Sequence, residues 1–362
     1  MPEGLPKRRG PCFDPLAKPS GHPPMPNLVN RQVRLRARPD GIPQAEHFEL
    51  AEAPVPDIRD GEILVRNQFL SVEPAMRGWV SAVANYSAPV NLGDVMRAFA
   101  SGEVVASRHP DFAEGDKVTG LFGWQDYAAV SPAAVTRKVT EIDLPLSLSL
   151  GLLGLNGVTA YFGLLDIGDP RPGDTVVVST AAGAVGSAVG QIARIAGCRT
   201  VGIAGGPAKV AQCRDDFGFD VAIDYKASDD LGTAIAAACP GGVDVYFDNT
   251  SGRVSDAVLP HLAIRARVVI CGTASVSSWE TWPTGPRLER HLLVKRARMQ
   301  GLLVFDYQAR YGEAIARLAN WIREGRLTYA EDILDGIETA PDAIAGLYRG
   351  ENRGKRLIRL HG

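Results

Sequence analysis

The fold of this chain is decided by residues 174–197, which read DTVVVSTAAGAVGSAVGQIARIAG. The stretch opens with an apolar run, Thr175–Ser179, that predicts a buried β-strand. A tight turn with Gly183 and Gly186 follows, and apolar residues at helical spacing then predict a helix. The turn is a variant of the GxGxxG motif, with Ala181 in the first position. A glycine-rich packing turn is the alternative, but the strand before it and the helix after it favour a pyrophosphate site at the helix N-terminus.

The turn after the next strand indicates which dinucleotide is bound. Thr200–Ala204 is the predicted strand, and residues 205–209 after it read GGPAK. An NAD site places an acidic residue there, which accepts a hydrogen bond from the ribose 2′-hydroxyl. The absence of a carboxylate and the presence of Lys209 favour NADP(H), because a cation binds the 2′-phosphate. Taken alone, Lys209 is more often a solvated lysine at a helix start.

Composition limits the classes of function. The chain has 362 residues and a formal net charge of −2, and it contains no basic run, so neither nucleic acid nor an anionic membrane is an expected partner. No stretch of about 18 apolar residues predicts a membrane span. Five cysteines without a CxxC pair argue against a disulfide scaffold and a structural zinc site. We therefore expect a reduced, cytoplasmic protein without a metal ion.

The chain divides into three kinds of sequence. Residues 1–26 contain eight prolines and little apolar content, which predicts a disordered tail; a pairing arm and an extension before a start at Met25 are the alternatives. Short strand-like runs between Gln32 and about Leu150 predict a β-rich domain: they are 32–35, 61–69, 102–107 and 116–121. Strands alternating with helices after Gly151 predict a parallel sheet. The stretch after about Asp306 predicts one helix, 313–324, and a closing strand, 356–360.

Motifs along the chain resemble those of one enzyme family. The segments are Met76–Gly78, Leu92–Arg97, Gly157–Gly163, Ala181–Gln191, Gly205–Lys209, Gly218–Tyr225, Val243–Asn249, Leu293–Gly301 and Arg349–Lys355. Together they resemble the medium-chain dehydrogenase/reductase superfamily. More narrowly they resemble its zinc-independent leukotriene B4 dehydrogenase/prostaglandin reductase branch, which includes plant alkenal double-bond reductases and curcumin-reductase-like enzymes. The resemblance covers about residue 31 to the C-terminus.

The resemblance implies an α/β fold with two domains. One is a GroES-like β-rich catalytic domain, residues 27–150 and 306–362, and the other is a Rossmann domain with a doubly wound parallel sheet, residues 151–305. In this arrangement the chain leaves the catalytic domain and later returns to it. Members of the branch are commonly homodimers through the edge of the Rossmann sheet, so a homodimer is also implied.

The resemblance also implies cofactor-binding residues. Gly183, Ala184, Val185 and Gly186 would contact the pyrophosphate of NADP(H), and Lys209 and Tyr225 would hold the 2′-phosphate. Because Tyr225 occurs at its expected place, the phosphate interpretation of Lys209 becomes the stronger one. Asn249 would contact the nicotinamide ribose. The residues along the cofactor and around the nicotinamide would be Cys271, Gly272, Thr273, Ser277, Leu302, Leu303, Val304 and Asn352.

The implied reaction is NADPH-dependent reduction of the carbon–carbon double bond of α,β-unsaturated ketones or aldehydes. Hydride would go to the β-carbon and a proton to the α-carbon, while hydroxyl donors stabilise charge on the carbonyl oxygen. Zinc-dependent members need a Cys and a His–Glu pair near the metal, and this chain has no cysteine between Gln32 and Leu150. A quinone reductase and an NADPH-binding regulatory protein remain the alternatives.

The sequence departs from the family at the hydroxyl donors. A tyrosine is expected near position 277, where Ser277 and Ser278 stand, and Ala75 replaces another. Tyr86 matches the third expected tyrosine, although a packing role suits it equally well. Either a serine replaces one donor, or Tyr86 and the ribose hydroxyl suffice. The lost side chains predict a wider pocket, for an aryl ketone or a bulky enone.

Overall fold

The computed structural model describes residues 28–82, 87–275 and 284–360. The predicted tail and Met25 lie outside these ranges, as do Tyr86, Ser277 and Ser278. The described residues form a mixed seven-stranded sheet, a parallel six-stranded sheet and a two-stranded hairpin. None of the described helices is long and apolar enough to cross a membrane.

The first part of the chain is rich in short strands, as its short strand-like runs predict. These are β1 (Val29–Leu35), β2 (Phe48–Pro54), β3 (Ile63–Ser71), β4 (Phe99–Ser107), β5 (Lys117–Leu121), β6 (Tyr127–Val130) and β7 (Val135–Lys138). Strands β1 and β2 form the hairpin, and the others pair antiparallel. The pairing of β3 with β4 shifts register twice, and such irregularities curve a sheet. Its core includes Met76, Met96, Phe122 and Trp124, all buried.

The chain returns to this sheet at its C-terminal end. Strands β14 (Glu331–Asp335) and β15 (Lys355–Arg359) complete the strand order β14-β15-β3-β4-β5-β7, with β6 also paired to β3. Two helices belong to the same region, α1 (Met76–Trp79) and α9 (Ala340–Arg349). The predicted closing strand is therefore present, one residue earlier at each end than the sequence predicts.

The middle of the chain forms the parallel sheet that the βαβ pattern predicts. Its strands are β8 (Thr175–Ser179), β9 (Arg199–Ala204), β10 (Val221–Asp224), β11 (Val243–Asp248), β12 (Leu262–Ile270) and β13 (Arg298–Gly301). The helices around it are α2 (Leu155–Phe162), α3 (Ala184–Ile195), α4 (Pro207–Asp215), α5 (Leu231–Ala238), α6 (Gly252–Val258), α7 (Glu289–Lys295) and α8 (Tyr311–Arg323). The strand order is β10-β9-β8-β11-β12-β13.

Strand β8 is covered by apolar side chains on both faces of the sheet. All five of its residues are buried. Val176 and Val178 pack into the apolar cluster that includes α2, α3 and α8, whereas Val177 packs into the cluster on the opposite face. A strand covered on both faces reads as a continuous apolar run. The predicted fold class, a β-rich GroES-like domain with a Rossmann sheet, is confirmed.

Short segments complete the secondary structure. A π-helical turn, Gly163–Gly168, prolongs α2. The 3₁₀ segments are Ala45–His47, Pro132–Ala134, Leu146–Leu150, Leu259–His261, Val304–Arg310 and Ile337–Thr339. Strand β8 lies between β9 and β11, so the strand order reverses beside it. In open parallel sheets ligands bind at such a point, outside the carboxyl ends of the strands.

Candidate cofactor site

Nearly all predicted cofactor residues follow the carboxyl ends of the parallel strands. Residues 183–186 follow β8, Lys209 follows β9, Tyr225 follows β10, Asn249 follows β11, residues 271–273 follow β12 and residues 302–304 follow β13. Because the strands are parallel, these ends meet at one edge of the sheet. The structure therefore brings these predicted residues together along one edge of the sheet.

The turn after β8 has no room for a side chain at Gly183 or Gly186. Thr180 has a φ of 54°, and a Cβ on Gly186 would stand 2.2 Å from its carbonyl oxygen. A Cβ on Gly183 would stand 2.9 Å from the Thr180 methyl group. Helix α3 begins at Ala184, and no side chain caps its N-terminus. Its first N–H groups, including those of Ala184 and Val185, are therefore available to an anion.

The turn after β9 fits a 2′-phosphate better than a ribose hydroxyl. A Cβ on Gly205 would stand 2.9 Å from the Tyr225 ring, 3.1 Å from its hydroxyl and 3.0 Å from Cε of Lys226. The acidic side chain of an NAD site at Gly205 would require both of these side chains to move away. Gly206 has a φ of 92° and is the N-cap residue immediately before α4. The donors present, an ammonium and a phenol hydroxyl, suit a phosphate.

Lys209 lies in a positively charged environment. Burial, followed by the charges of Lys226 and Arg356, lowers its pKa from the usual lysine value. Gly350 lies beside it, since a Cβ there would stand 3.7 Å from the Lys209 ammonium. Sequence reasoning missed Lys226 and Arg356. The position of Lys226 directly after the predicted Tyr225 was the available signal, whereas nothing local indicates Arg356.

Asp248 organises the end of β11. Its carboxylate is buried and accepts hydrogen bonds from the Ser251 N–H at 2.8 Å and the Ser255 hydroxyl at 2.5 Å. The neighbouring Asn249 donates through its side-chain amide to the Ser179 carbonyl oxygen at 2.7 Å. The amide therefore joins the ends of β8 and β11, and its contact with the nicotinamide ribose stays a prediction.

The segment after β12 runs along the end of β11. The N–H of Cys271 donates to the Asp248 carbonyl oxygen at 2.8 Å, and a Cβ on Gly272 would stand 2.8 Å from the Asn249 carbonyl oxygen. Thr273 continues this segment and is partly buried. Burial raises the pKa of the Cys271 thiol to about 12, which suits a small apolar side chain rather than a nucleophile.

The segment after β13 lies next to the end of β12. The Leu302 N–H donates to the Ile270 carbonyl oxygen at 2.9 Å. Leu302 and Val304 pack against the core, whereas Leu303 is 39% exposed. The expected hydroxyl donors Tyr86, Ser277 and Ser278 lie outside the described residues, so their part in the site stays a prediction.

Asn352 reaches the same edge from the other domain. Its side-chain amide donates to the Gly354 carbonyl oxygen at 2.9 Å, and Gly354 forms a parallel β-bridge with Gly183. Lys355, which is buried, donates to the Ser71 hydroxyl at 2.7 Å at the end of β3. The stretch around Asn352 therefore touches both the turn after β8 (residues 180–186, which we call the dinucleotide turn) and the mixed seven-stranded sheet.

Other features lie away from this edge. A cavity of about 530 Å³ opens between α3 and α8 and is lined by Tyr161, Ile192, Arg317 and Trp321 among others. It does not coincide with the carboxyl edge of the sheet. Within residues 28–82, 87–275 and 284–360, no group of three or more His, Cys, Asp or Glu side chains could hold a metal ion.

Comparisons with known proteins agree with this architecture. Residues 31–139 match the family model described as N-terminal domain of oxidoreductase, and residues 184–320 match the one described as zinc-binding dehydrogenase. The NADPH-dependent curcumin reductase of Escherichia coli (strain K12) is 43% identical over 338 residues, which cover 92% of this chain and 97% of that protein. The NADP(+)-dependent 2-alkenal reductase of Nicotiana tabacum is 36% identical over 335 residues, 91% and 97% of the two chains. The crystal structure of CurA in complex with NADPH from Vibrio vulnificus superposes with a TM-score of 0.86 at 42% identity, covering 92% and 99% of the two chains.

Proposed function

Because the chain belongs to the zinc-independent branch of medium-chain dehydrogenases/reductases that contains the curcumin and alkenal reductases, we propose that it reduces the carbon–carbon double bond of α,β-unsaturated ketones or aldehydes. NADPH supplies the hydride for the β-carbon when bound. The observation that carries the choice of cofactor is the turn at Gly205, where the side chains of Tyr225 and Lys226 occupy the place that an acidic side chain would take. Lys209 lies in the first turn of the helix that follows.

Each predicted cofactor residue has a proposed part in this reaction. Gly183, Ala184, Val185 and Gly186 bind the pyrophosphate through backbone N–H groups, and Lys209 and Tyr225 bind the 2′-phosphate. The residues proposed to lie along the ribose and nicotinamide are Asn249, Cys271, Gly272, Thr273, Ser277, Leu302, Leu303, Val304 and Asn352. The proposed domains are 27–150 with 306–362, and 151–305. The position of the described cofactor residues at the carboxyl edge of the parallel sheet supports this assignment.

We propose hydroxyl donors for the carbonyl oxygen of the substrate. Tyr86, Ser277 and Ser278 are the candidates, because an O–H group stabilises the negative charge that develops on that oxygen. Removing an oxyanion donor lowers kcat by roughly 10²–10³-fold in enzymes that depend on it. The variants Tyr86→Phe, Ser277→Ala and Ser278→Ala, compared by kcat, identify the donor. An unchanged kcat in all three contradicts the proposal and leaves the ribose hydroxyl as the donor.

A substrate panel tests the proposed activity. Loss of NADPH absorbance is followed with enones, alkenals, aryl-substituted enones and quinones in parallel. We expect turnover with the unsaturated ketones or aldehydes, with a saturated product identified by mass spectrometry. Turnover confined to quinones identifies a quinone reductase instead. Tight NADPH binding without turnover of any compound identifies an NADPH-binding regulatory protein.

A substitution of Lys209 tests the choice of cofactor. We expect Lys209→Ala to weaken NADPH binding by about tenfold or more and to leave NADH binding nearly unchanged, because only NADPH carries the phosphate. Dissociation constants from quenching of intrinsic fluorescence measure both. An equal loss for the two nucleotides refutes the phosphate assignment.

We propose a cytoplasmic homodimer that pairs through the outer edge of the parallel sheet. Strand β13 lies at that edge, and Leu293 and Val294 of the neighbouring α7 are 77% and 55% exposed. Such apolar side chains beside a free strand edge favour pairing with a second copy. Sedimentation of Leu293→Asp is expected to give monomers where the unmodified chain gives dimers. The free cysteines of the described residues support a reducing compartment, which cell fractionation tests.

A further inference from the structure

Two lysines flank the turn after β9 and form no salt bridge with any described residue. Lys209 lies in the first turn of α4, and Lys226 is the second residue after β10. Among the described residues, neither ammonium forms an ion pair, whereas the nearby Arg356 is paired with Asp332 at 2.7 Å. Exposed lysines are usually only solvated. Whether the charge of Lys226 can bind a ligand therefore depends on where its side chain lies.

Hydrogen bonds to Asp224 hold the backbone of Lys226 in place. One carboxylate oxygen of Asp224 accepts the N–H of Gly206 and the N–H of Lys226, both at 2.9 Å. These hydrogen bonds, the Gly206 bond foremost, lower the pKa of Asp224, so the carboxylate is ionised at neutral pH. A single oxygen therefore ties the turn after β9 to the turn after β10.

The side chain of Lys226 folds back over the turn. Its Cε lies 3.0 Å from the point that a Cβ on Gly205 would occupy, and the Tyr225 hydroxyl lies 3.1 Å from the same point. Lys226 thus covers the backbone at Gly205 with its hydrocarbon, next to the tyrosine. Because Gly205 has no side chain, the ammonium and the phenol hydroxyl both border the space above this turn.

The two ammonium groups act on each other. After burial, the charge of Lys226 is the largest influence that lowers the pKa of Lys209. The folded chain therefore holds two like charges near one another. Asp332 acts on Lys209 and Asp224 on Lys226 from a distance, but no described carboxylate forms a salt bridge with either lysine. A dianion bound between them would remove this repulsion and accept a charge-assisted hydrogen bond from each.

We propose that Lys226 is a second cation for the 2′-phosphate of NADPH, opposite Lys209 and next to Tyr225, and that it sets the preference for NADPH over NADH. This inference rests on the proposed use of NADPH. Two cations match the charge of a phosphate monoester near neutral pH better than one does. NADH presents a neutral hydroxyl to the same place and gains nothing from the second ammonium.

Binding measurements on the full chain test this role without turnover. Dissociation constants are measured by calorimetry for NADPH, NADH and 2′,5′-ADP, a probe with the phosphate but no nicotinamide. Lys226→Met keeps the hydrocarbon over Gly205 and removes the charge, and Lys226→Arg keeps a charge. Lys138→Met, on β7 of the other domain and paired with Asp116, is the matched control.

We expect Lys226→Met to weaken the binding of NADPH and of 2′,5′-ADP by about tenfold and to leave the binding of NADH unchanged. The Lys226→Arg and Lys138→Met variants are expected to bind all three ligands nearly as tightly as the unmodified chain does. An equal loss of NADPH and NADH shows that Lys226 only supports the turn and overturns the inference, as does an unchanged NADPH affinity. If the unmodified chain itself binds NADH as tightly as NADPH, the proposed cofactor fails as well. The two failures are therefore distinguishable.

Discussion

The absence of a side chain at Gly186 serves both the packing of α3 against β8 and the proposed binding of the pyrophosphate. It lies where α3 begins beside the end of β8, and a Cβ there would stand 2.2 Å from the Thr180 carbonyl oxygen. Backbone cannot give way as the tip of a flexible side chain does. The close approach brings the first N–H groups of α3 to the carboxyl edge of the sheet. Glycine is therefore required here by the fold as well as by the proposed pyrophosphate contact.

Gly186→Ala is expected to lower the free energy of unfolding by about 1–3 kcal/mol, because the helix must move away from β8. Urea unfolding followed by circular dichroism measures the change. Gly241→Ala is the matched control, since a Cβ there has nothing within 4 Å and its φ is not positive. We expect that control to stay within about 0.5 kcal/mol of the unmodified chain. Equal stability of both variants would contradict the steric argument.

At the scale of elements, the pairing of β14 with β15 places Glu331 opposite Lys355. The Ser147 hydroxyl donates to one Glu331 oxygen at 2.9 Å, while the other oxygen is buried without a partner. Lys355 instead donates to Ser71 and Glu73 at the end of β3. Burial therefore raises the pKa of Glu331 above the usual glutamate value.

This raised pKa gives the stability a defined pH dependence. Since the folded pKa lies above the unfolded value of about 4.3, Glu331 stabilises the fold fully below that pH, and the contribution is lost as pH rises through the folded pKa. The unmodified chain is expected to gain stability relative to Glu331→Gln as pH falls from neutral. Urea unfolding at several pH values measures the difference. Glu46→Gln, at an exposed glutamate, is the control and should show no such trend. The same trend in both variants would exclude Glu331 as the cause.

The sequence predicts those elements whose formation depends on residues close together in the chain. Strand β8 is a continuous apolar run because both of its faces are buried, and its bounds match the prediction at both ends. Gly183 and Gly186 are recognisable because strand, turn and helix follow one another. Strand β14 was missed, because its short run of mixed polarity acquires meaning only next to β15. The sequence does not single out Lys226, because its proposed role depends on its contact with Gly205, which follows a different strand.

At the scale of the whole molecule, residues 348–355 connect the two sheets; we call them the junction segment. The Tyr348 hydroxyl donates to the Pro74 carbonyl oxygen at 3.2 Å. Gly354 bridges to Gly183 in the dinucleotide turn. No local pattern predicts these contacts, because their partners lie far away in the chain. The resemblance to a family was what pointed to Asn352, which lies in this segment.

Gly354→Ala tests whether the junction segment supports cofactor binding as a whole. Gly354 has a φ of 79°, and a Cβ there would stand 2.1 Å from the Ala330 carbonyl oxygen, so alanine must displace the segment from Gly183. We expect NADPH and NADH to bind more weakly by the same factor, roughly tenfold, since the pyrophosphate turn is common to both nucleotides. Gly325→Ala, with a φ of 67° and nothing within 4 Å of its Cβ position, reproduces the backbone strain away from the site. Unchanged affinities, or a loss confined to NADPH as expected for Lys209→Ala, would show that the segment does not hold the dinucleotide turn.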